Sequence, residues 1–353
     1  MLKIAIIGTV GVPASYGGFE TAVENIIKHP GAKFTVYCSS RHYTKKIKNF
    51  NGASLEYVPL KANGFSSIPY DIYSIIHAII RGQKNLLIFG VSGAIIFPFL
   101  RFFFPSLHLV TNIDGIEWKR DKWNKFKKLY LKFSEYLAVK FSSKVVTDNK
   151  AISEYVEKVN GKKSSVIPYG GDHAISEKNN VYLSNDTKKK YSFALALCRI
   201  EPENNVHMIL EAFSELKTSL IFIGNWDASK YGVDLKEKFK VFKNIQLKDP
   251  IYDPKILFSL RNTCDVYVHG HSAGGTNPSL VEMMHFFKPI VAFDCIYNQM
   301  TMENHGYFFK NKEDLLKVLN KIDNLQVDNN LFKVAKKNYS WKVIRTKYLE
   351  LFD

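Results

Sequence analysis

Two hydrophobic rhythms interleave along the chain: short apolar runs rich in β-branched and aromatic residues, and longer stretches in which apolar positions recur every three or four residues. The short runs predict strands over 3–7, 33–38, 55–58, 85–89, 108–111, 144–147 and 165–167, with a crossover helix over 19–28. The pattern restarts with strands at 192–198, 219–223, 244–247, 265–268 and 289–293, and helices at 206–216 and 280–286. Strands that alternate with helices pair in parallel, so the chain is expected to be α/β with two Rossmann-like units in tandem. Tyr169-Gly170-Gly171-Asp172 leads into a polar stretch at 176–190, which places the linker between Pro168 and Tyr191. The expected division is a first domain over 1–170, a second over 171–340, and a helix over 341–353 that packs back toward the first.

Two neighbouring segments depart from this rhythm. Residues 94–104 form the longest apolar run, cut by Pro98 and Arg101. Crossing a bilayer takes about 20 consecutive apolar residues, so the run does not span one. It reads as a buried crossover helix or as a surface patch that dips into a lipid interface. Over 119–144, Trp123, Phe126, Leu129, Tyr130, Phe133 and Leu137 recur at three- and four-residue steps, while Lys119, Arg120, Lys122, Lys125, Lys127, Lys128 and Lys132 fill the gaps. This is a basic amphipathic helix, either packed on its own domain with solvated lysines or resting on a membrane surface.

With 353 residues, 46% of them apolar and 23% charged, the chain has the composition of a two-domain globular protein, which excludes a disulfide scaffold and a disordered chain. Cys38, Cys198, Cys264 and Cys295 are widely spaced and form no C-x-x-C pair, as expected of reduced thiols in a cytoplasmic protein. The opening residues lead straight into a glycine loop and read as a first strand rather than a signal peptide. The net charge of +16 is lopsided: residues 1–170 carry 24 Lys and Arg against 11 Asp and Glu, whereas 171–353 carry 25 against 22. A one-sided positive field favours an anionic partner. No nucleic-acid motif accompanies it, which leaves anionic lipid or a phosphorylated substrate and no nucleic acid.

Candidate chemistry lies where predicted strands run into loops. Gly8-Thr9-Val10-Gly11-Val12-Pro13-Ala14-Ser15-Tyr16-Gly17-Gly18-Phe19-Glu20 follows the first strand and opens a helix, which puts backbone N–H groups and a positive helix end beside the strand's carboxyl edge. It lacks the G-x-G-x-x-G spacing and the P-loop lysine, so it is a dinucleotide or P-loop site in neither case. In the second half, Arg199-Ile200-Glu201-Pro202-Glu203-Asn204-Asn205 follows a strand; Arg199 can clamp a diphosphate, and Asn204 or Asn205 fits a helix N-cap. Gly224-Asn225-Trp226 offers backbone to a base or ribose. The densest cluster is His269-Gly270-His271-Ser272-Ala273-Gly274-Gly275-Thr276-Asn277-Pro278-Ser279-Leu280-Val281-Glu282, a small-residue loop entering a helix with Pro near its start. Glu282 sits one turn in, placed to accept from a sugar hydroxyl. Two histidines two apart lack a third ligand nearby, so no metal site is expected.

These residues resemble the retaining nucleotide-sugar glycosyltransferases of glycosyltransferase family 4, which have the GT-B fold of two Rossmann-like domains facing a central cleft with a C-terminal helix crossing back to the first. The opening loop, the segment Asn112-Ile113-Asp114-Gly115-Ile116-Glu117-Trp118-Lys119-Arg120 and the stretch Gly274-Gly275-Thr276-Asn277-Pro278-Ser279 are more closely similar to bacterial rhamnosyltransferases of cell-surface polysaccharides. The likeness covers nearly the whole chain. It implies donor contacts at Gly17, Gly18, Arg199, Asn204, Gly224, Asn225, His271, Gly275, Thr276, Asn277, Pro278, Ser279, Leu280 and Glu282, and catalytic roles for Arg199 and Asp114, shared with Glu117 or Arg120. Asp114 either faces the acceptor or caps a turn with Gly115. Two positions depart from the broad family: Asn204 stands where a Lys is usual, and Gly274 where a Glu is usual.

The resemblance implies metal-independent transfer of a deoxysugar, L-rhamnose from dTDP-L-rhamnose, to a lipid-diphosphate-linked saccharide. The protein is then cytoplasmic and peripheral at the inner face of the membrane, in contact with anionic lipid. The alternatives are a UDP-hexose donor, or a non-catalytic protein that binds nucleotide sugars. A nicotinamide oxidoreductase is disfavoured by the long first loop.

Overall fold

The computed structural model describes residues 1–15, 17–119, 124–175 and 192–353. They form two compact units, one of Met1–Tyr169 with Trp341–Asp353, the other of Gly170–Ser340.

The first unit is built on β1 (Leu2–Ile7), β2 (Ala32–Ser39), β3 (Asn49–Phe50), β4 (Ala53–Val58), β5 (Asn85–Phe89), β6 (His108–Asn112), β7 (Lys144–Thr147) and β8 (Ser165–Val166). Their spatial order is β3-β4-β2-β1-β5-β6-β7-β8, parallel throughout except for the β3/β4 pair. The connecting helices are α1 (Gly18–Ile26), α2 (Ser67–Ile80), α3 (Phe97–Phe103), α4 (Lys125–Phe141) and α5 (Lys150–Asn160). The chain winds from β1 outward to β4, then returns to the other side of β1 at β5 and proceeds to β8. That reversal makes the carboxyl ends of β1 and β5 a topological switch point, where open α/β sheets leave a crevice.

The second unit repeats the plan with β9 (Phe193–Leu197), β10 (Ser219–Ile223), β11 (Ile245–Lys248), β12 (Val266–His269), β13 (Ile290–Phe293) and β14 (Tyr307–Phe309), in the order β11-β10-β9-β12-β13-β14 and all parallel. Its helices are α6 (Val206–Ser214), α7 (Lys230–Phe239), α8 (Pro254–Thr263), α9 (Pro278–Met283), α10 (Ile296–Met302), α11 (Lys312–Leu319) and α12 (Asn329–Asn338). Here the switch point lies between β9 and β12. The sheet is buried on both faces: Ala194, Phe222, Val266 and Val291 pack with α6 and α7, while Leu195, Tyr267, Ile290 and Ala292 pack with α9 and α12.

The last helix, α13 (Trp341–Leu349), returns to the first unit, where Trp341, Ile344 and Tyr348 join the core of Ile4, Val23, Ile26, Phe89 and Val110. α4 departs from its expected stripe. Leu137 is buried, together with Leu131, Ser134 and Ala138, but Phe126, Leu129 and Phe133 are exposed, so the packed face is offset from the aromatic stripe. Residues 94–104 divide likewise, with Ala94, Phe97 and Leu100 buried and Phe99, Phe102, Phe103 and Phe104 exposed. Arg120, Lys122, Trp123, Tyr16 and the stretch 176–191 lie outside the described residues.

Candidate functional site

In the second unit, the loops at the carboxyl ends of β9 and β12 are stitched together by side chains that read in sequence as helix caps. Asn204, 2% exposed, donates from Nδ2 to the Arg199 carbonyl at 2.7 Å, and its Oδ1 lies 2.7 Å from His271 Nδ1. Asn205 stands at the N-cap of α6 with φ at 48°, but its amide donates to the Gly270 carbonyl at 2.8 Å rather than to the helix. Ser272 donates from both its backbone nitrogen and its hydroxyl to the Glu203 carbonyl, at 2.9 and 2.8 Å. A Cβ at Gly270 would stand 2.1 Å from the Asn204 carbonyl oxygen, so only glycine permits this approach. The departure from lysine at Asn204 therefore has a structural sense, since the residue joins two loops instead of presenting a charge.

Arg199 keeps its guanidinium at the surface of this loop pair, 45% exposed, with Nη1 3.5 Å from Glu201 Oε1. A partly exposed pair of this kind is weak and exchangeable, so the guanidinium is available to an incoming anion. Gly224 packs against the Cys198 carbonyl and Ile200, and Asn225 is exposed. Trp226 turns into the core, where its indole donates to the Lys248 carbonyl at 3.0 Å.

Gly274 has φ at 109°, a conformation that disfavours any side chain and accounts for the missing glutamate at that position. Beyond Gly275 and the buried Thr276, Asn277 caps α9 by accepting from the Ser279 N–H at 3.0 Å, with Pro278 in the first turn. The Leu280 N–H donates to the Asn277 carbonyl at 3.1 Å. The amides at this helix start are thus already engaged by Asn277.

Glu282 lies inside a buried network. Arg261 of α8, 6% exposed, pairs with its Oε2, and His173 Nε2 is 3.1 Å from its Oε1. Burial alone would raise its pKa, but the charges of Arg261, His173 and His285 outweigh it and hold the carboxyl below its ordinary value. Gly171 presses on the same helix, where a Cβ would stand 2.7 Å from the Val281 carbonyl. Arg261 and His173 belong to no motif of the sequence and join the site only through the fold. His269 is buried and neutral, its pKa pushed down to about 3 by desolvation, and His271 follows with its ring 6.1 Å away. Among the described residues no group of three or more His, Cys, Asp or Glu is placed to hold a metal ion.

In the first unit the glycine loop is braced by acids of the helix it enters. Glu20 Oε1 accepts from the Val10 N–H at 2.9 Å, and Glu24 Oε2 from the Ala14 N–H at 2.7 Å. Burial raises the Glu20 pKa, against the pull of the Val10 bond and of His42. Gly17 is the N-cap of α1 with φ at 103°, and a Cβ there would stand 2.4 Å from Glu20 Oε2; Gly18 begins the helix.

Asp114 follows β6 with its own backbone left-handed, φ 60°, so it makes the turn itself instead of capping one at Gly115. Its N–H donates to Asn112 Oδ1 at 2.8 Å, and the Tyr169 hydroxyl donates to its Oδ1 at 3.0 Å. Asn112 in turn donates to the Tyr348 hydroxyl of α13 at 2.7 Å. Asp114 stands out in the sequence, but these partners do not: Tyr169 lies 55 residues from Asp114, and Tyr348 lies 236 from Asn112. Glu117 begins a short 3-10 turn and is half-buried, and Arg120 lies outside the described residues.

Residues 178–339 match the family described as glycosyl transferases group 1, and residues 1–172 match a domain of unknown function, DUF1972. No curated protein matches the chain. Among solved structures, a sucrose-phosphate synthase from Thermosynechococcus elongatus is similar with a TM-score of 0.82 at 12% identity, covering 100% of this chain and 98% of that one. HepE of Anabaena, in complex with UDP-glucose, has a TM-score of 0.71 at 16% identity and covers 100% and 99%. A trehalose 6-phosphate synthase from Burkholderia multivorans has 0.68 at 11%, covering 99% and 97%. At these identities the likeness is one of fold, and the fold is GT-B.

Proposed function

We propose that this GT-B glycosyltransferase, whose residues 178–339 form a glycosyl transferases group 1 domain, moves L-rhamnose from dTDP-L-rhamnose onto a lipid-diphosphate-linked saccharide. The reaction belongs to cell-surface polysaccharide assembly at the cytoplasmic face of the membrane.

The observation that carries the donor class is the partly exposed Arg199 guanidinium on a loop pair locked by Asn204 and His271 at a switch point of the second sheet. Departure of a nucleoside diphosphate concentrates negative charge on phosphate oxygens, and a preorganised guanidinium stabilises that charge without a metal ion. The ionised Glu282, held by Arg261 and His173, accepts from the hydroxyls of the nucleoside's sugar. Asp114, oriented by Tyr169, is assigned to the acceptor hydroxyl, with Glu117 or Arg120 as helpers. With retention of configuration, as the family resemblance implies, a leaving phosphate oxygen takes the proton of the incoming hydroxyl. Support for a deoxysugar comes from Gly274, whose left-handed backbone leaves no carboxylate at a place where the broad family grips a sugar hydroxyl.

A second reading keeps the chemistry and takes a UDP-hexose; it is favoured by HepE, which shares the fold and is in complex with UDP-glucose. Purified protein, a GlcNAc-diphosphate-lipid acceptor and a panel of dTDP-rhamnose, UDP-glucose, UDP-galactose and UDP-GlcNAc separate the two by product mass. A deoxyhexosyl product is expected. Turnover of a UDP-sugar with none from dTDP-rhamnose moves the assignment to the second reading.

A further inference from the structure

We infer that α3 and α4 of the first unit together form a docking face for an anionic lipid bilayer. On α3, Phe99, Phe102 and Phe103 are spaced to share one face and are exposed, Phe102 by 77%, while Phe97 and Leu100 of the same helix are buried. On α4, Phe126, Leu129, Phe133 and Tyr136 follow at three- and four-residue steps and are exposed, Phe126 by 87%. Isolated exposed apolar side chains are ordinary, but exposed ridges on two helices that pack on each other are the kind of feature that marks an interaction site.

The support beneath these rings is rigid. Arg101 of α3 donates to the Phe141 carbonyl at the end of α4 at 2.5 Å, to the Leu107 carbonyl at 2.8 Å and to the Ser143 hydroxyl at 2.7 Å. From α4, Tyr130 donates to the Ser92 carbonyl at 2.6 Å, and Ser134 donates to the Val91 carbonyl. The arginine that interrupts the apolar run in sequence thus ties the two helices together.

Charge selects the occupant. Lys125, Lys132 and Lys140 are exposed on the same face of α4 as the aromatic ridge. The acid of that helix, Glu135, is buried and accepts from the Tyr155 hydroxyl at 3.0 Å. Rings beside flexible cations match the interfacial layer of a bilayer, where apolar side chains reach acyl chains and lysines remain with anionic headgroups. A second copy of this face would set lysine against lysine, which opposes self-association.

The test is sedimentation of the full-length protein with vesicles of phosphatidylcholine, alone or mixed with phosphatidylglycerol. Neither donor nor acceptor is present, so docking stands or falls separately from the transfer reaction. Binding to the mixed vesicles that weakens with salt is expected. Each lysine near an anionic surface is worth about fivefold, so K125Q/K132Q/K140Q should weaken partitioning on the order of 100-fold. F102S/F126S/L129S should abolish it, with circular dichroism and melting unchanged because the replaced side chains are exposed. The inference is overturned by no binding to mixed vesicles at low salt, by binding that both variants leave intact, or by a dimer in solution that the aromatic variant splits.

Discussion

Nδ1 of His271 lies 2.7 Å from Oδ1 of Asn204, and the amide nitrogen of the same Asn204 is committed to the Arg199 carbonyl. Because that commitment fixes which end of the amide faces the ring, Nδ1 of His271 is the protonated nitrogen, and one buried asparagine sets both the tautomer of His271 and the path of the loop bearing Arg199.

Asn204→Ala removes both bonds, leaving the Arg199 carbonyl with only the Glu201 N–H, and should cost about 1–3 kcal/mol of stability. It should also weaken nucleoside diphosphate binding about tenfold, through loss of the Arg199 loop geometry. Asn204→Asp keeps the acceptor for His271 but sets a buried carboxylate oxygen against the Arg199 carbonyl, so it should cost at least as much stability as Asn204→Ala. Chemical denaturation and titration calorimetry on the three proteins check the order.

Arg261→Met strands Glu282 as a buried, partly paired charge and should cost about 3–5 kcal/mol. The double variant R261M/E282M removes both charges and should recover most of that loss while nucleotide affinity stays low. A carboxyl held below its ordinary pKa contributes fully above the unfolded value, near 4.3, and that contribution fades as pH falls through the lower folded value. Acid titration of stability should show this component in the wild type and not in the double variant.

Asp114→Asn preserves an oxygen for the Tyr169 hydroxyl but removes the charge. The turnover number should fall by about 10² to 10⁴, with nucleotide affinity unchanged. Tyr169→Phe leaves the carboxylate charged but removes the Tyr169 bond that orients it, and should cost roughly tenfold, on the order of one lost hydrogen bond. Single-turnover transfer rates beside calorimetric nucleotide affinities distinguish these effects from misfolding.

His269 is buried neutral with a pKa near 3, whereas in the unfolded chain it titrates near 6.5. Its contribution is therefore complete above the unfolded value and is lost progressively as pH falls toward the folded one. From pH 7 to pH 5 this amounts to about 2 kcal/mol. Urea midpoints at the two pH values should converge in His269→Gln by about that amount.

The parallel strands were legible because both of their faces are buried, which writes them as apolar runs: 85–89, 144–147 and 219–223 stand where the pattern predicts them. β3 and β14, two and three residues long, were not, since pieces so short carry no periodicity. On α4 the spacing of aromatic residues suggested one stripe, whereas the packed face is made of Leu131, Ser134, Leu137 and Ala138, whose small members carry little hydrophobic signal. At the site, residues on one loop were readable as a cluster, Arg199 to Asn205 and His271 to Glu282 among them. Their supports were not. Arg261 reaches Glu282 from another helix, and Tyr348 reaches Asn112 from the end of the chain, contacts that only tertiary folding creates.

The return of α13 to the first unit has a consequence for biosynthesis. Trp341, Ile344 and Tyr348 belong to the core that Ile4 and Val23 begin. A ribosome therefore releases the second unit with all of its sequence in hand while the first still waits for its closing wedge. The earlier-made half is the later to finish, and a nascent chain stalled before Trp341 would hold an open seam along α1 for chaperones to cover.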